Sequence, residues 1–295
     1  MTCFAPLKGW NKPGGGLTFK RQGTTGIPLE VPCGQCIGCR LAHSQAWAIR
    51  MIHEARFHDH SIFVTLTYDP DSLPTGGTLV KRHVQSFLKA LRQYLSPCKI
   101  RFFAIGEYGD ENLRPHYHLI IFGFFPSDAR RINPGSKNPR WSSNTLEKIW
   151  SRGIVEFSDV TPETAGYVAR YSLKKINGEK QKAHYERLDP DTGELHAIIP
   201  EFALMSRRPG IGQLHYEKHR DDLYPDDFTV LNGRKQKVPR YYDKQLEKES
   251  AKTLEKIKNR RKSRAKKRAY DNTPERLAVR EECAKAKIKP AKRNL

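Results

Sequence analysis

His116 and His118 flank Tyr117 in the stretch HYHLIIFG, and alternate side chains of a strand share a face. The two imidazoles can therefore hold one metal ion while Tyr117 points away. Glu107 ends the preceding apolar stretch, KIRFFAIGE, and a hairpin through YGDENLRP brings its carboxylate beside the pair. A His-His-Glu set with open positions suits a divalent ion that also takes oxygen ligands and water, Mg²⁺ or Mn²⁺, better than a closed four-ligand zinc site. In AGYVARYSLKK, Tyr167, Tyr171, Lys174 and Lys175 are spaced i, i+4, i+7 and i+8, so on a helix all four project from one side. Val168 and Leu173 supply packing on the other. A phenol with a reference pKa near 10 is only about 0.1% ionised at pH 7, so a nucleophilic tyrosine needs help. A cation on the histidine pair gives it by drawing charge from a phosphate. Attack joins tyrosine to phosphate and releases a sugar hydroxyl, and because the new bond keeps the energy of the phosphodiester the step reverses. Two tyrosines allow two alternating transfers. Each pair alone is also read as a polar strand end or as helix packing, with the lysines complementing a helix dipole.

Cys33, Cys36 and Cys39 follow a C-x-x-C-x-x-C spacing that lets thiolates converge on one zinc ion. Cys3 is the expected fourth ligand, with His43 behind it, and the expected role is to fold the N-terminal arm. An iron-sulfur cluster fits less well, since position 42 is Ala where a ferredoxin-type run has its fourth cysteine. The alternative is three reduced thiols in a turn-rich segment. Cys98 and Cys283 carry no signal.

With 53 Lys and Arg against 32 Asp and Glu in 295 residues, the net charge of +21 points to a polyanionic partner, nucleic acid first. A hydrophobic fraction of 37% excludes a wholly disordered chain. The apolar runs are far shorter than the roughly 20 residues of a membrane span, and the N-terminus lacks the pattern of a secretory signal, so a cytosolic chain with reduced cysteines is expected. From Ala251 onward there are 17 basic and 5 acidic residues, a charge run of the nucleic-acid-binding kind.

Periodicity supplies the elements that must position these residues. The first thirty residues show no sustained period and read as an irregular arm. Helical spacing covers Leu41 to Arg56. SIFVTLTY (61–68) is a strand, a helix starts near Thr78 and ends before Pro97, and 99–107 and 116–123 are adjacent strands. A short helix at Leu146–Trp150, a strand at 154–157, and a helix from Pro162 to about Lys174, capped by Thr161, complete the set. The order β-α-β-β-α-β predicts an α+β fold, an antiparallel sheet of ferredoxin/RRM-like type with helices on one face. Residues 175–200 read as a polar excursion, and MSRRPGIG (205–212) and VPRYYDK (238–244) as ordered loops. The expected divisions are 1–58 (arm, cysteine cluster and helix), 59–176 (core), 177–250 (excursion and loops packing on the core) and 251–295 (basic helical or disordered tail).

FVTLTYDP (63–70), GEYGDENLRPHYHLIIFG (106–123) and GYVARYSLKK (166–175), in this order, resemble the replication initiator proteins of microviruses, most closely the gokushovirus group, within the HUH endonuclease superfamily. CGQCIGCRL, MSRRPGIG and VPRYYDK are similar to that group too, so the resemblance spans roughly residues 30 to 245. It implies an HUH endonuclease core with His116 and His118 as metal ligands, Glu107 as third ligand, and Tyr167 and Tyr171 as paired nucleophiles. It implies rolling-circle replication: nicking of the double-stranded phage DNA at the origin, a 5′-phosphotyrosine intermediate, and strand rejoining. Partners implied are single-stranded and supercoiled double-stranded DNA and a host helicase with its replication machinery, in the host bacterial cytoplasm. The middle residue of the metal motif, Tyr117, is aromatic where the family is aliphatic. Competing readings are a relaxase or transposase with the same chemistry, or a non-catalytic basic nucleic-acid-binding protein.

Overall fold

Residues 3–36 hide almost nothing from water, only Cys3 and Gly9 being buried, and yet they are not irregular. Strands β1 (Leu7–Asn11), β2 (Leu17–Thr18) and β3 (Pro28–Val31) form an antiparallel sheet in the order β2-β1-β3. This corrects the irregular arm expected from sequence. A sheet with neither face buried leaves no alternation to read. The computed structural model describes residues 3–170, 181–188 and 193–288, and the chain divides into two compact units, 1–43 with 243–295, and 44–242. In the first unit the arm is joined by the C-terminal helices Ala251–Lys266 and Pro274–Ile288. These are not merely a solvated charge run. Leu254, Ile257 and Leu277 are buried, and Arg261 grips Asp243 through two hydrogen bonds of 2.6 and 3.0 Å.

Helix α1 (Ile37–Ala55) begins four residues before the expected start. The second unit is organised by β4 (Ser61–Thr67), whose Ile62, Val64 and Leu66 alternate with Phe63, Thr65 and Thr67. Helix α2 (Lys81–Tyr94) follows, burying Val84, Phe87, Leu88 and Leu91 at helical spacing. Strands β5 (Arg101–Tyr108) and β6 (Pro115–Phe122) pair as the expected hairpin. Short strands β7 (Arg130–Arg131) and β8 (Trp141–Ser142) lead into α3 (Asn144–Trp150), where Ser143 accepts the Leu146 N–H, and then β9 (Val155–Asp159). Helix α4 (Pro162–Ala169) opens with a reciprocal cap between Thr161 and Thr164.

The central four strands run β5-β6-β4-β9, every neighbour antiparallel, so the β-α-β-β-α-β order closes into one sheet. That sheet has seven strands, extended by β8 and β7 at one edge and by β12 (Phe202–Met205) at the other, and the last was not legible as a strand. Helices cover both faces, correcting the expectation of one. One core joins Val64, Leu119 and Ile121 to α2 and α3. The other joins Phe103, Ile105, Ile120 and Phe122 to α4 and to Ala48, Met51 and Ile52 of α1. The polar excursion contains a turn of helix (Gln181–His184) and a hairpin of β10 (Glu186–Leu188) with β11 (Leu195–Ala197).

Beyond β12 the chain forms a helix at Gln213–Asp226, a hairpin of β13 (Phe228–Leu231) with β14 (Arg234–Lys237), and a helix at Arg240–Glu249 that takes up most of VPRYYDK, read from sequence as a loop. MSRRPGIG lies where expected: its last turn is held by the Gly212 N–H donating to Glu54 (2.6 Å) and by Arg50 Nε donating to the Ile211 carbonyl (2.9 Å). No helix among the described residues is long and apolar enough to cross a membrane.

Two buried histidines make this unit pH-sensitive. His53 stacks on His215 at 3.5 Å, its Nδ1 lying 2.9 Å from the Tyr242 hydroxyl and its Nε2 3.2 Å from Thr229 Oγ1. Burial, with Arg56 and the neighbouring rings, pulls His53 down to about 2 and His215 to about 4. Both are depressed, so the native state binds fewer protons than the unfolded chain below the ordinary value of 6.5, and stability falls as pH drops from there toward 4. The thermal midpoint should fall across that window, and His215→Phe, which keeps a flat ring without a titrating nitrogen, should flatten the slope. Equal slopes in the two proteins would show that the stack does not titrate there.

Candidate active site

Pairing register places the predicted ligands side by side. Glu107 of β5 lies opposite His116 of β6, and Ile105 opposite His118, while across β6 on the other side Thr67 faces His116 and Thr65 faces His118. Alternation along β6 sends Tyr117 to the opposite face, where it is fully buried. Glu107 Oε1 is 3.2 Å from Nε2 of His116 and 3.2 Å from Nε2 of His118. The carboxylate is almost wholly buried, and His116 is the more open of the two imidazoles. His116 also lines a cleft of about 370 Å³ with Thr67, Asp110, Asn112 and Arg114.

The outer nitrogens of both rings are engaged. His116 Nδ1–H donates to the Arg114 carbonyl at 3.0 Å, and His118 Nδ1 lies 3.0 Å from Thr65 Oγ1. Such contacts fix ring orientation and leave Nε2 pointing inward. Two acceptor atoms 3.2 Å apart need a positive centre between them, a proton or a metal ion. The ligand atoms of Glu107, His116 and His118 all lie within 4.8 Å of one another. Donors sharing one ion through bonds of about 2.1–2.4 Å stand at most about 4.2–4.8 Å apart, so the three residues fit a single cation.

Tyr167 completes the cluster. Its hydroxyl donates to Glu107 Oε1 at 2.7 Å and lies 3.3 Å from His118 Nε2, with its ring edge-on to His118 and the Arg170 guanidinium 5.7 Å from its centroid. Burial, and then the Glu107 charge, push the phenol above its ordinary value. The capped start of α4 and the buried Ala165, Val168 and Ala169 set the helix phase that turns Tyr167 to the cluster. Tyr171, Lys174 and Lys175, and with them the expected end of the helix, lie outside the described residues.

Thr65 and Phe63, which stacks on His118 at 5.3 Å, are site residues that the sequence reading missed. The signal was present: alternation in FVTLT puts Phe63, Thr65 and Thr67 on one face, and the sheet order sets that face beside β6. A second convergence involves Cys3, Cys33, Cys36 and Cys39, whose sulfurs lie within 4.8 Å of one another. His43 is not among them. Cys98 and Cys283 are exposed.

Comparison with known proteins accords with this arrangement. The family model for the ORF2 type of replication-associated protein matches residues 61–176, the span holding β4 through α4. The replication-associated protein ORF2 of Spiroplasma virus 4 is 30% identical over 274 residues, 84% of this chain and 81% of that protein. The replication-associated protein VP4 of Bdellovibrio phage phiMH2K is 32% identical over 253 residues, 82% of this chain and 76% of that protein. Replication-associated protein ORF4 of Chlamydia phage 1 is 35% identical over 156 residues, 50% of this chain and 39% of that protein. No solved structure matches the chain.

Proposed function

This chain belongs to the replication-associated proteins of the microviruses, and from that footing we propose that it starts rolling-circle replication as a metal-dependent nickase and strand transferase of the HUH type. The observation that supports this reading most is the Tyr167 hydroxyl, 2.7 Å from Glu107 and 3.3 Å from His118 beside a three-donor cluster. His116, His118 and Glu107 would hold Mg²⁺ or Mn²⁺, which when bound supplies a Lewis acid for a phosphodiester oxygen.

The chain's own groups do the rest. Thr65 and the Arg114 carbonyl keep both imidazoles aimed inward, so no rotamer search is needed when substrate arrives. Glu107 Oε1 already accepts the phenol hydrogen and is the first stop for that proton as the Tyr167 oxygen bonds to phosphorus. The phosphorus–O3′ bond breaks, the sugar leaves as a 3′-hydroxyl, and the 5′-phosphate stays on the tyrosine. Attack by a later 3′-hydroxyl reverses the sequence and rejoins the strand. Tyr171 is the second nucleophile in this scheme, and Lys174 and Lys175 contact phosphates. The substrate is phage origin DNA within the host, where a host helicase would separate the strands.

Mixed with single-stranded origin DNA and Mn²⁺, the protein should form a covalent adduct visible on a denaturing gel. The band should vanish with EDTA and with His116→Ala, and need at least one of Tyr167 and Tyr171. An adduct persisting in the double Tyr→Phe variant would move the nucleophile elsewhere. Thr65→Val, which frees the His118 ring, should weaken Mn²⁺ binding by about 10–100-fold in calorimetry. Unaltered affinity would remove the orienting role of Thr65. Replacing the exposed Lys262, Arg264, Lys266 and Lys267 by Gln should flatten the salt dependence of DNA binding, each lost phosphate contact lowering the logarithmic slope by about 0.7–0.9, while adduct formation on short substrates stays intact. An unchanged slope would show that this helix does not touch DNA.

A further inference from the structure

The N-terminal sheet poses a stability problem. Among residues 3–36 only Cys3 and Gly9 are buried, whereas Leu7, Leu17, Phe19 and Ile27 are exposed. A three-stranded sheet without a core does not hold its shape, and segments of this kind are usually stapled by disulfides or metal. The four sulfurs of Cys3, Cys33, Cys36 and Cys39 converge within 4.8 Å, at one end of this sheet and at the start of α1.

The spacing matches a metal rather than a disulfide. Cys3 and Cys36 Sγ are 3.9 Å apart, well beyond the roughly 2.05 Å of an S–S bond. A tetrahedral site with zinc–sulfur bonds of about 2.3 Å has sulfurs about 3.8 Å apart. Backbone donors surround the sulfurs as well. The Cys33 N–H points to Cys3 Sγ (3.2 Å), the Phe4 N–H to Cys36 Sγ (3.3 Å), and the Gln35 and Cys36 N–H groups to Cys33 Sγ (3.4 and 3.2 Å). Gly34, at φ +76°, makes the turn that lets two successive amides face back on Cys33. Sulfur accepts hydrogen bonds better as thiolate than as thiol, and four thiolates in one place need a cation.

We propose that Cys3, Cys33, Cys36 and Cys39 form a closed tetrathiolate zinc site that ties the N-terminal sheet to the first turn of α1. Binding forms four zinc–sulfur bonds and releases to solvent whatever thiol protons remain. The amide donors bring the Cys36 thiol down to about 6 against the opposing effect of burial, whereas burial pushes Cys3 and Cys39 up, so zinc competes with protons and its affinity rises with pH. With no open coordination position, the site does no chemistry on substrate. It is independent of the cluster around His116.

The test uses the full chain, purified with reductant and zinc and then gel-filtered, with a thiol-specific mercurial to release metal. About one mercurial-releasable zinc per chain is expected in the wild type, in Cys98→Ser and in His116→Ala, and less than about a tenth of that in Cys36→Ser and Cys39→Ser. Should the serine variants aggregate, the wild type treated with a strong zinc chelator takes their place. Trypsin should then cut at Lys8, Lys12, Lys20 or Arg21 at least about tenfold faster, with cleavage elsewhere unchanged. The proposal is overturned if the reduced wild type releases no zinc and all six thiols react rapidly, if a Cys3–Cys36 disulfide or a coloured iron-sulfur cluster is found instead, or if chelation leaves cleavage of the arm unaltered.

Discussion

The ladder that sets Glu107 opposite His116 and Thr65 opposite His118 makes three separate segments into one site. A slip of one residue along β6 would turn both imidazoles into the core and Tyr117 out to the site face. Apolar packing on both faces of the sheet prevents it. Tyr117 adds a polar lock, its hydroxyl meeting the Tyr68 hydroxyl at 2.7 Å and the Val80 N–H at 2.8 Å. The aromatic middle residue of the metal motif therefore faces away from the ligands, yet it anchors the strand that carries them.

Burying the Glu107 carboxylate would be costly without partners, and the structure surrounds it with groups that can offset its charge or donate hydrogen bonds to it. Tyr167 and the two imidazoles meet its Oε1. The same enclosure excludes water from the phenol and strengthens every electrostatic interaction around it. Stability and reactivity thus draw on one arrangement: the contacts that make a buried anion tolerable are those that aim a nucleophile at a phosphate.

The central elements were legible because burial writes itself into sequence. SIFVTLT alternates where one face is packed on α2 and the other on the site, and α2 repeats its apolar residues at three- and four-residue steps. The arm, β12 and the helix at Arg240–Glu249 were not, each for a physical reason. The arm buries no face, β12 is four residues long, and Pro239 stands just before the helix and suggests a turn. MSRRPGIG and VPRYYDK were recognisable as motifs, but their chemistry was not. Arg50 lies between the rings of Trp47 (4.0 Å) and Tyr241 (3.8 Å), and Glu54 takes the Gly212 N–H from 158 positions away along the chain.

Sequence alone determined the kinds of group available and the face each takes within its own element, because strand and helix periods are local properties of the backbone. His116 and His118 share a face in any strand, and Tyr167 follows Val160 and Thr161 into a capped helix whatever surrounds it. Only the tertiary structure decided that Thr65 would orient His118, that α4 would turn Tyr167 onto Glu107, and that a cysteine at position 3 would meet three others some thirty residues later. Those meetings depend on strand order and packing between distant segments, and pairing across that distance leaves no period in the chain to read.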